Sequence, residues 1–379
     1  MADKSVVYVN FSPYDNTGKT LDYLIENYSF VAHFSFDHLR LKNNRRAHLS
    51  IYVNGNLVGQ KNLSWLKTHP LLLFPSLPFV AIAMFTETLF YTHHIKKQIG
   101  VIDSYITVNA FPAVTGIILR KLRIVNKTVF WVWDYFPTNF PDWRMQIIRR
   151  VYLMFDKLAL KYSDKVVYLN SFLKKSREKN GHHAKGKYFD IIPIGTNTNR
   201  NTGVKKNIVG HMGLIKESQG LDLLFKNLED FFTYFPEYNI EIIGTGPEES
   251  RYKKMAAKYK DRVTFYGFME KADEIDKLIS RWKVGLATYV PTAWSEHYWG
   301  DPSKIKAYIA NAVPVITTSV PEFSNEIIKA KAGLVVPYEK NELFNAMRLL
   351  IKQNPTYSKN ASKLSENYNY LKVYSKLLD

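Results

Sequence analysis

Lys304 is the side chain in this sequence that pattern alone ties most directly to chemistry. It closes the run Gly300-Asp301-Pro302-Ser303-Lys304, and an apolar helical stretch through Tyr308-Ile309-Ala310 follows. A lysine in the first turn of a helix adds a full positive charge to the partial charge of the helix N-terminus. The pair suits a phosphate, and above all a diphosphate whose charge grows as it departs. Ser303 and the backbone there add hydrogen bonds. The competing reading is a solvated surface lysine.

Three glycine turns lie upstream of Lys304. Gly210-His211-Met212-Gly213-Leu214, Ile242-Ile243-Gly244-Thr245-Gly246 and Val263-Thr264-Phe265-Tyr266-Gly267-Phe268 each place glycine where an apolar strand stops before a helix. Gly244 and Gly246 permit close backbone approach. Such turns in one half-chain predict a nucleotide-diphosphate site. In the first half, Asp134 ends the strand Phe130-Trp131-Val132-Trp133, where a carboxylate can orient or deprotonate a hydroxyl; a cap or turn role is the alternative. Asn109 ends another strand and is a weaker contact of the same kind. Thr17-Gly18-Lys19-Thr20 imitates an NTPase loop, but that pattern needs glycine where Pro13 stands. It is read as a polar wall of a binding cleft instead. No Asp-x-Asp triplet occurs, and His93-His94 and His182-His183 are adjacent pairs that cannot share a helix face. No metal is expected.

Positioning these residues requires alternating strands and helices. Strands are predicted at 6–11, 102–108, 128–133 and 165–169, then at 207–209, 240–243, 263–265, 284–287 and 315–316. Met145, Ile148, Val151, Phe155 and Leu158 recur at helical spacing, with Arg144, Arg149, Arg150, Lys157 and Lys161 between them, giving an amphipathic helix with a basic polar face. Alternation of this kind implies α/β architecture with parallel, doubly wound sheets. The expected organisation is a Rossmann-like domain over 1–195, a hinge at 196–207, a second Rossmann-like domain over 208–354 and a helix over 355–379. Ligands are expected in a cleft at the strand C-termini.

The order of these pieces resembles the donor-binding half of GT-B retaining glycosyltransferases of the glycogen-synthase-like group (family 4). The residues that carry it are Gly210 to Leu214 with Gly220-Leu221-Asp222, Ile242 to Pro247, Val263 to Phe268, the Gly300 to Lys304 run and Pro314-Val315-Ile316-Thr317-Thr318. Ile192 to Asn197 sits where that group changes domain. The likeness is strong over about half the chain and weak over the rest. It implies that the last helix crosses back to the first domain and that the second domain holds a nucleotide-diphosphate sugar as donor substrate, with no cofactor. The Lys304 loop then meets the donor phosphates and sugar, Asp301 or Glu296 holds sugar hydroxyls, and His297, Tyr298 and Trp299 form a wall. Ordinary loop packing is the alternative for these. Gly213, Gly267 and Phe268 line the donor site, Phe268 against the base or else in the core. Thr17, Gly18, Asn109 and Asp134 fall on the acceptor side, facing a saccharide or lipid-linked saccharide. The sequence departs from the group at three positions. Leu214 and Gln219 stand for a phosphate-gripping Arg and Lys, with Lys216 as a substitute, and Ala307 stands for the ribose-binding Glu. A non-catalytic scaffold or a sugar-nucleotide epimerase are therefore the rival readings.

Composition narrows the setting. The chain of 379 residues is long enough for two cores, has no cysteine and carries a net charge of +18. That charge invites anionic lipid or phosphorylated ligands, whereas no zinc-finger or RNP pattern accompanies it and nucleic acid is not expected as a partner. No signal-peptide pattern opens the sequence, so a cytoplasmic location is expected, with peripheral association at an anionic membrane surface. The run 70–91 is apolar, but Pro75, Pro78 and Glu87 interrupt or bound it. It is too short between interruptions to span a bilayer, and is read as a buried helix or a monotopic segment.

Overall fold

Strand Val6-Val7-Tyr8-Val9 is buried at every position, as expected for a parallel strand covered on both faces. In the computed structural model, which describes residues 2–11, 14, 16–36, 47–63, 73–133, 135, 143–184, 188–198, 203–292 and 295–378, the chain forms two units. Met1–Ile194 and Val373–Asp379 make the first, and Gly195–Lys372 the second.

The first unit is built on an eight-stranded sheet. Its strands are β1 (Ala2–Phe11), β2 (Tyr28–Phe36), β3 (His48–Val53), β4 (Asn56–Asn62), β5 (Ile102–Thr107), β6 (Val125–Val132), β7 (Lys165–Tyr168) and β8 (Tyr188–Ile191). They lie in the order β4-β3-β2-β1-β5-β6-β7-β8. All neighbours are parallel except β2-β3 and β3-β4, an antiparallel extension the sequence patterns did not indicate. Its turn is Asn54-Gly55, both with positive φ, the backbone that tight hairpin turns demand.

The helices of this unit are α1 (Thr20–Asn27), α2 (Leu73–Ile99), α3 (Ala110–Lys121), α4 (Trp143–Tyr162) and α5 (Ser171–Lys179). The connections carrying α2, α3, α4 and α5 all advance in one direction along the sheet, so right-handed crossovers put them in one layer. Contacts of α3 with α2 and with α4 agree. Helix α2 is not the buried helix expected: Met84, Thr88, Thr92 and Ile95 face inward, while Phe79 and Phe90 are each 64% exposed. No helix among the described residues is long and apolar enough to cross a membrane. Residues 64–72, which include the start of the apolar run, lie outside the described set.

Behind α4, Asp156 joins α4 to α5. Its carboxylate accepts from Arg177 and lies 3.0 Å from Nδ1 of His182, and all three side chains are buried. Burial opposes ionisation of Asp156, but the bonds from His182 and Arg177 outweigh it and hold the carboxyl below its usual range. On the opposite face, Tyr374 returns from the second unit. It packs edge-on against Trp131 and Tyr23, and its hydroxyl donates to the Gly18 carbonyl at 2.9 Å.

The second unit holds β9 (Ile208–Met212), β10 (Asn239–Ile243), β11 (Val263–Gly267), β12 (Val284–Ala287), β13 (Val315–Thr317) and β14 (Gly333–Val335). All are parallel, in the order β11-β10-β9-β12-β13-β14. The order reverses between β9 and β12, the position where doubly wound sheets bind ligands beyond their strand ends. Glycines inside the strands let large rings lie against the sheet. A Cβ on Gly210 would fall 2.1 Å from the Trp282 ring, and one on Gly285 would fall 2.6 Å from Tyr308. The Asn354–Ser365 helix stays with this unit, packing Ala361 and Leu364 against Ile305 and Ile309. The chain passes back to the first unit at Val373.

Replacing Asp156 by Ala would strand a buried guanidinium, and such losses cost about 3–5 kcal/mol. Urea unfolding should show a loss of that order for Asp156→Ala. Because the folded carboxyl titrates below its unfolded value, the difference should be full at neutral pH and shrink as pH falls through the carboxylate range. A variant as stable as the parent at pH 7 would remove Asp156 as the tie between α4 and α5.

Candidate active site

The turn after β9 and the turn after β10 are fitted to each other by glycine. Gly213 has φ 131° and Gly244 φ 126°, conformations that side chains resist. A Cβ on Gly244 would lie 2.0 Å from the Gly213 carbonyl oxygen, and one on Gly246 would lie 2.2 Å from that of Ile215. The Gly213 amide donates to Ile243 and the Ile215 amide to Thr245, each at 2.9 Å. Gly244 in turn donates to the Gly267 carbonyl at 2.8 Å, which ties the third turn to the second. The sequence-predicted glycines therefore come together in one place. Phe268, just beyond Gly267, is half-exposed rather than in the core.

The helix Ser303–Ala310 points its first turn at this backbone. Lys304 is buried, not a solvated lysine, and its Nζ would lie 3.1 Å from a Cβ at Gly213. The ammonium donates to Oε1 of Gln219, stands 3.4 Å from Nε2 of His211 and lies 5.3 Å from the centre of the Tyr289 ring. Its partners among the described residues are thus neutral: an amide oxygen, an imidazole and an aromatic face. Burial, and then the charge of Lys216, push its pKa down to about 7.

The protonation of the neighbours follows from their bonds. His211 is fully buried, and burial followed by the Lys304 charge holds it well below its usual value, so it is neutral. Its Nδ1 lies 3.2 Å from the Leu286 carbonyl, so Nδ1 carries the proton and Nε2 turns a lone pair towards Lys304. Gln219 accepts from Lys304 through oxygen, so its NH2 group faces Nε2 of His297 at 3.0 Å. Burial lowers the pKa of His297 to about 3, which fits a neutral acceptor. That ring also lies against Tyr289, with centroids 4.2 Å apart. Nε2 of His297 is 3.3 Å from Glu296 too, but the carboxylate's charged partner is Lys216, with which it pairs directly. Burial would raise Glu296, yet the Lys216 bond prevails and keeps it ionised.

The remaining predicted residues are placed as follows. Asp301 is committed to an ion pair with buried Lys306, whose ammonium lies 4.9 Å from the centre of the Tyr368 ring and 5.4 Å from that of Phe323. Ser303 is exposed at the helix start, and Ala307 lies on the same helix, part-buried. Leu214 is half-exposed at the β9 turn. In the first unit, Thr17 and Gly18 form a turn before α1, where the Thr17 carbonyl accepts from Thr20 and that of Gly18 from Tyr374. Asn109 precedes α3, and its carbonyl accepts from the Ala113 amide. Asp134 lies outside the described residues. Sequence reasoning missed His211 and Tyr289. His211 sits in a strand of otherwise apolar or small residues, a signal that was available; Tyr289 follows β12 with nothing to mark it.

Comparisons with known proteins bear on the family and the fold. Residues 197–368 match the family model described as "Glycosyl transferases group 1". An uncharacterized glycosyltransferase of Bacillus subtilis, YqgM, is 28% identical over 148 residues; the match spans 37% of this chain and only 40% of that protein. An uncharacterized glycosyltransferase of Haemophilus influenzae is 24% identical over 298 residues, covering 74% of this chain and 78% of that one. Among solved structures, sucrose-phosphate synthase from Thermosynechococcus elongatus superposes with TM-score 0.69 at 16% identity, over 98% of this chain and 97% of that chain. The Anabaena protein HepE, solved with UDP-glucose, superposes with TM-score 0.66 at 16% identity, over 98% of both chains. The architecture is GT-B. The family match lies within the second unit, and the structural likeness extends over nearly the whole chain as a fold.

The low pKa of Lys304 has a consequence for stability. Folded, the amine titrates near 7; unfolded, it titrates near 10.5. Between those values the unfolded chain holds a proton that the folded one lacks, so stability rises with pH, by up to about 1.4 kcal/mol per unit. Lys205, lowered to about 8 by burial, adds in the upper part of the window. Urea unfolding from pH 7 to 10 should show the rise, and Lys304→Met should flatten it. Parallel curves for parent and variant would mean that Lys304 stays protonated in the fold.

Proposed function

We propose that the second unit binds a nucleoside diphosphate sugar, with Lys304 at the diphosphate, and that the protein transfers the sugar with retention to a saccharide or lipid-linked saccharide hydroxyl. The observation that carries this reading is a buried ammonium surrounded by neutral groups. A buried cation without a carboxylate is costly, and an anion bound beside it removes that cost. The helix N-terminus and Ser303 add donors on the same side. Gln219, standing where the resembling group has a lysine, keeps the charge single and orients Lys304 through its oxygen. Lys216 supplies a second cation near by, held by Glu296 until ligand competes for it. Gly246, Gly267 and half-exposed Phe268 are assigned to the nucleoside end.

In the proposed reaction the bond between the anomeric carbon and the phosphate oxygen breaks as a bond to the acceptor oxygen forms on the same face. The acceptor proton passes to the departing phosphate oxygen. Lys304 stabilises the charge left on the diphosphate, which is the transition-state interaction that raises turnover. Asp134, Asn109, Thr17 and Gly18 are assigned to the acceptor. Asp301, bound to Lys306, is assigned to shaping the loop and not to a proton-transfer step. A hexose as the transferred group is part of the same proposal.

Calorimetric titration with UDP, GDP and ADP, without added metal, tests the site. One of them should bind. Because the free amine titrates near 7, its affinity should fall about tenfold per pH unit above that value until the bound-state pKa is reached. Lys304→Ala should lower transfer by at least about tenfold while the fold is kept. No binding by any of the three nucleotides would sink the donor site. Binding without turnover would favour a non-catalytic scaffold, and conversion of donor alone would favour an epimerase.

A further inference from the structure

Helix α4 carries two apolar faces, and among the described residues one packs inward while the other is exposed. Phe155, Ala159 and Leu160 point inward, with Phe155 packed edge-on against Phe111 of α3 at 4.8 Å. Trp143, Ile147, Val151, Met154, Leu158 and Tyr162 recur every three or four residues on the other side, and all are exposed, Trp143 by 61% and Met154 by 55%. Such a spacing makes one continuous stripe along the helix. Arg150, Lys157 and Lys161 run along one border of the stripe and Arg144 stands on the other. Asp156 is the single acidic residue of the helix, and it is buried. Both ends of the stripe set a ring beside a cation: Arg144 over Trp143 at 5.5 Å, and Lys161 and Lys121 over Tyr162 at 5.1 and 5.3 Å. In the same helix layer α2 exposes Phe79, Ile82 and Phe90.

We infer that the outer face of this layer is a docking surface for an anionic lipid bilayer, with α4 lying in the plane of the headgroups. Charge complementarity selects this occupant. The charged residues on the exposed side of α4 are all cations, and the whole chain carries +18. An apolar stripe bordered by lysine and arginine fits acyl chains below and anionic headgroups beside them. Trp143 and Tyr162, each apolar in body and polar at the tip, suit the level between the two. The proposal does not depend on the transfer reaction, so its failure and that of the donor site are separable.

The test is sedimentation of the full chain with vesicles of phosphatidylcholine alone and of phosphatidylcholine mixed with phosphatidylglycerol. The protein should pellet with the mixed vesicles at low salt and be released by high salt. Ile147→Ser with Met154→Ser, both at exposed positions, should weaken binding by at least about tenfold. Arg150→Glu with Lys157→Glu should do the same. The matched charge control, Lys329→Glu with Lys352→Glu in the second unit, should bind nearly as the parent does. Mixed vesicles should shift tryptophan emission to shorter wavelength, and Trp143→Phe should remove most of that shift. A parent protein that stays in the supernatant with mixed vesicles would overturn the proposal. So would stripe variants that bind like the parent, or a charge control that loses as much as the α4 pair. A parent that sediments as a dimer, is made monomeric by the serine variant and ignores vesicles would assign the stripe to a second copy instead.

Discussion

The second unit depends on how closely two backbone turns approach. Gly213 and Gly244 sit in conformations that side chains resist, with the Gly244 Cα hydrogen where any Cβ would strike the Gly213 carbonyl. That contact fixes the turn after β9 against the turn after β10. It also leaves beside Gly213 the space that the Lys304 ammonium fills. Everything polar in the site is then arranged outward from that ammonium: Gln219 and His211 to either side, His297 behind Gln219, and the Lys216–Glu296 pair beyond. The arrangement gives Lys304 neighbours that orient it without cancelling its charge. Buried cations are ordinarily paired with carboxylates, and Lys306, two residues further along the same helix, shows the ordinary solution with Asp301. The two lysines share a helix and differ in that respect; in the proposed function the difference separates a structural cation from one held ready for a ligand.

Much of this was legible in the sequence because it rests on local rules. Glycine before a helix, proline and serine opening the Lys304 turn, and apolar runs of strand length all reflect backbone constraints that act over a few residues. The parallel, doubly wound class followed from their alternation. What could not be read depended on tertiary partners. Asp301 and Glu296 look equivalent in sequence, and only packing shows that one meets Lys306 and the other Lys216. Tyr289 has no local signature, because its role comes from lying between Lys304 and His297. Leu214 and Gln219 read as losses against the resembling group. Gln219 proves to be a central hydrogen-bonding residue, whereas Leu214 is a half-exposed side chain with no partner among the described residues that explains it.

The first unit taught the opposite lesson about periodicity. In α4 the spacing of Val151, Phe155 and Leu158 reads as one buried stripe, yet Phe155 turns inward while Val151 and Leu158 are exposed. A period of 3.6 residues reports that a helix is amphipathic, and a helix with apolar residues on more than half its circumference has no unique inside. Asp156 settles the matter: bonded to Arg177 and His182, it fixes which side of the helix meets the sheet layer. A polar residue thus orients a helix that hydrophobicity alone leaves ambiguous.

The return of Tyr374 bears on how the protein is made. Its ring fills the space between Tyr23 and Trp131, and Lys127 and Lys165 donate to the carbonyls of Leu378 and Lys376. The first unit therefore takes part of its core from residues that follow the whole of the second. During vectorial synthesis the second unit has all of its own residues before the first does. The N-terminal sheet must wait on the ribosome with one face unfinished, and a message cut short after the second unit would release a chain whose first unit lacks a wall.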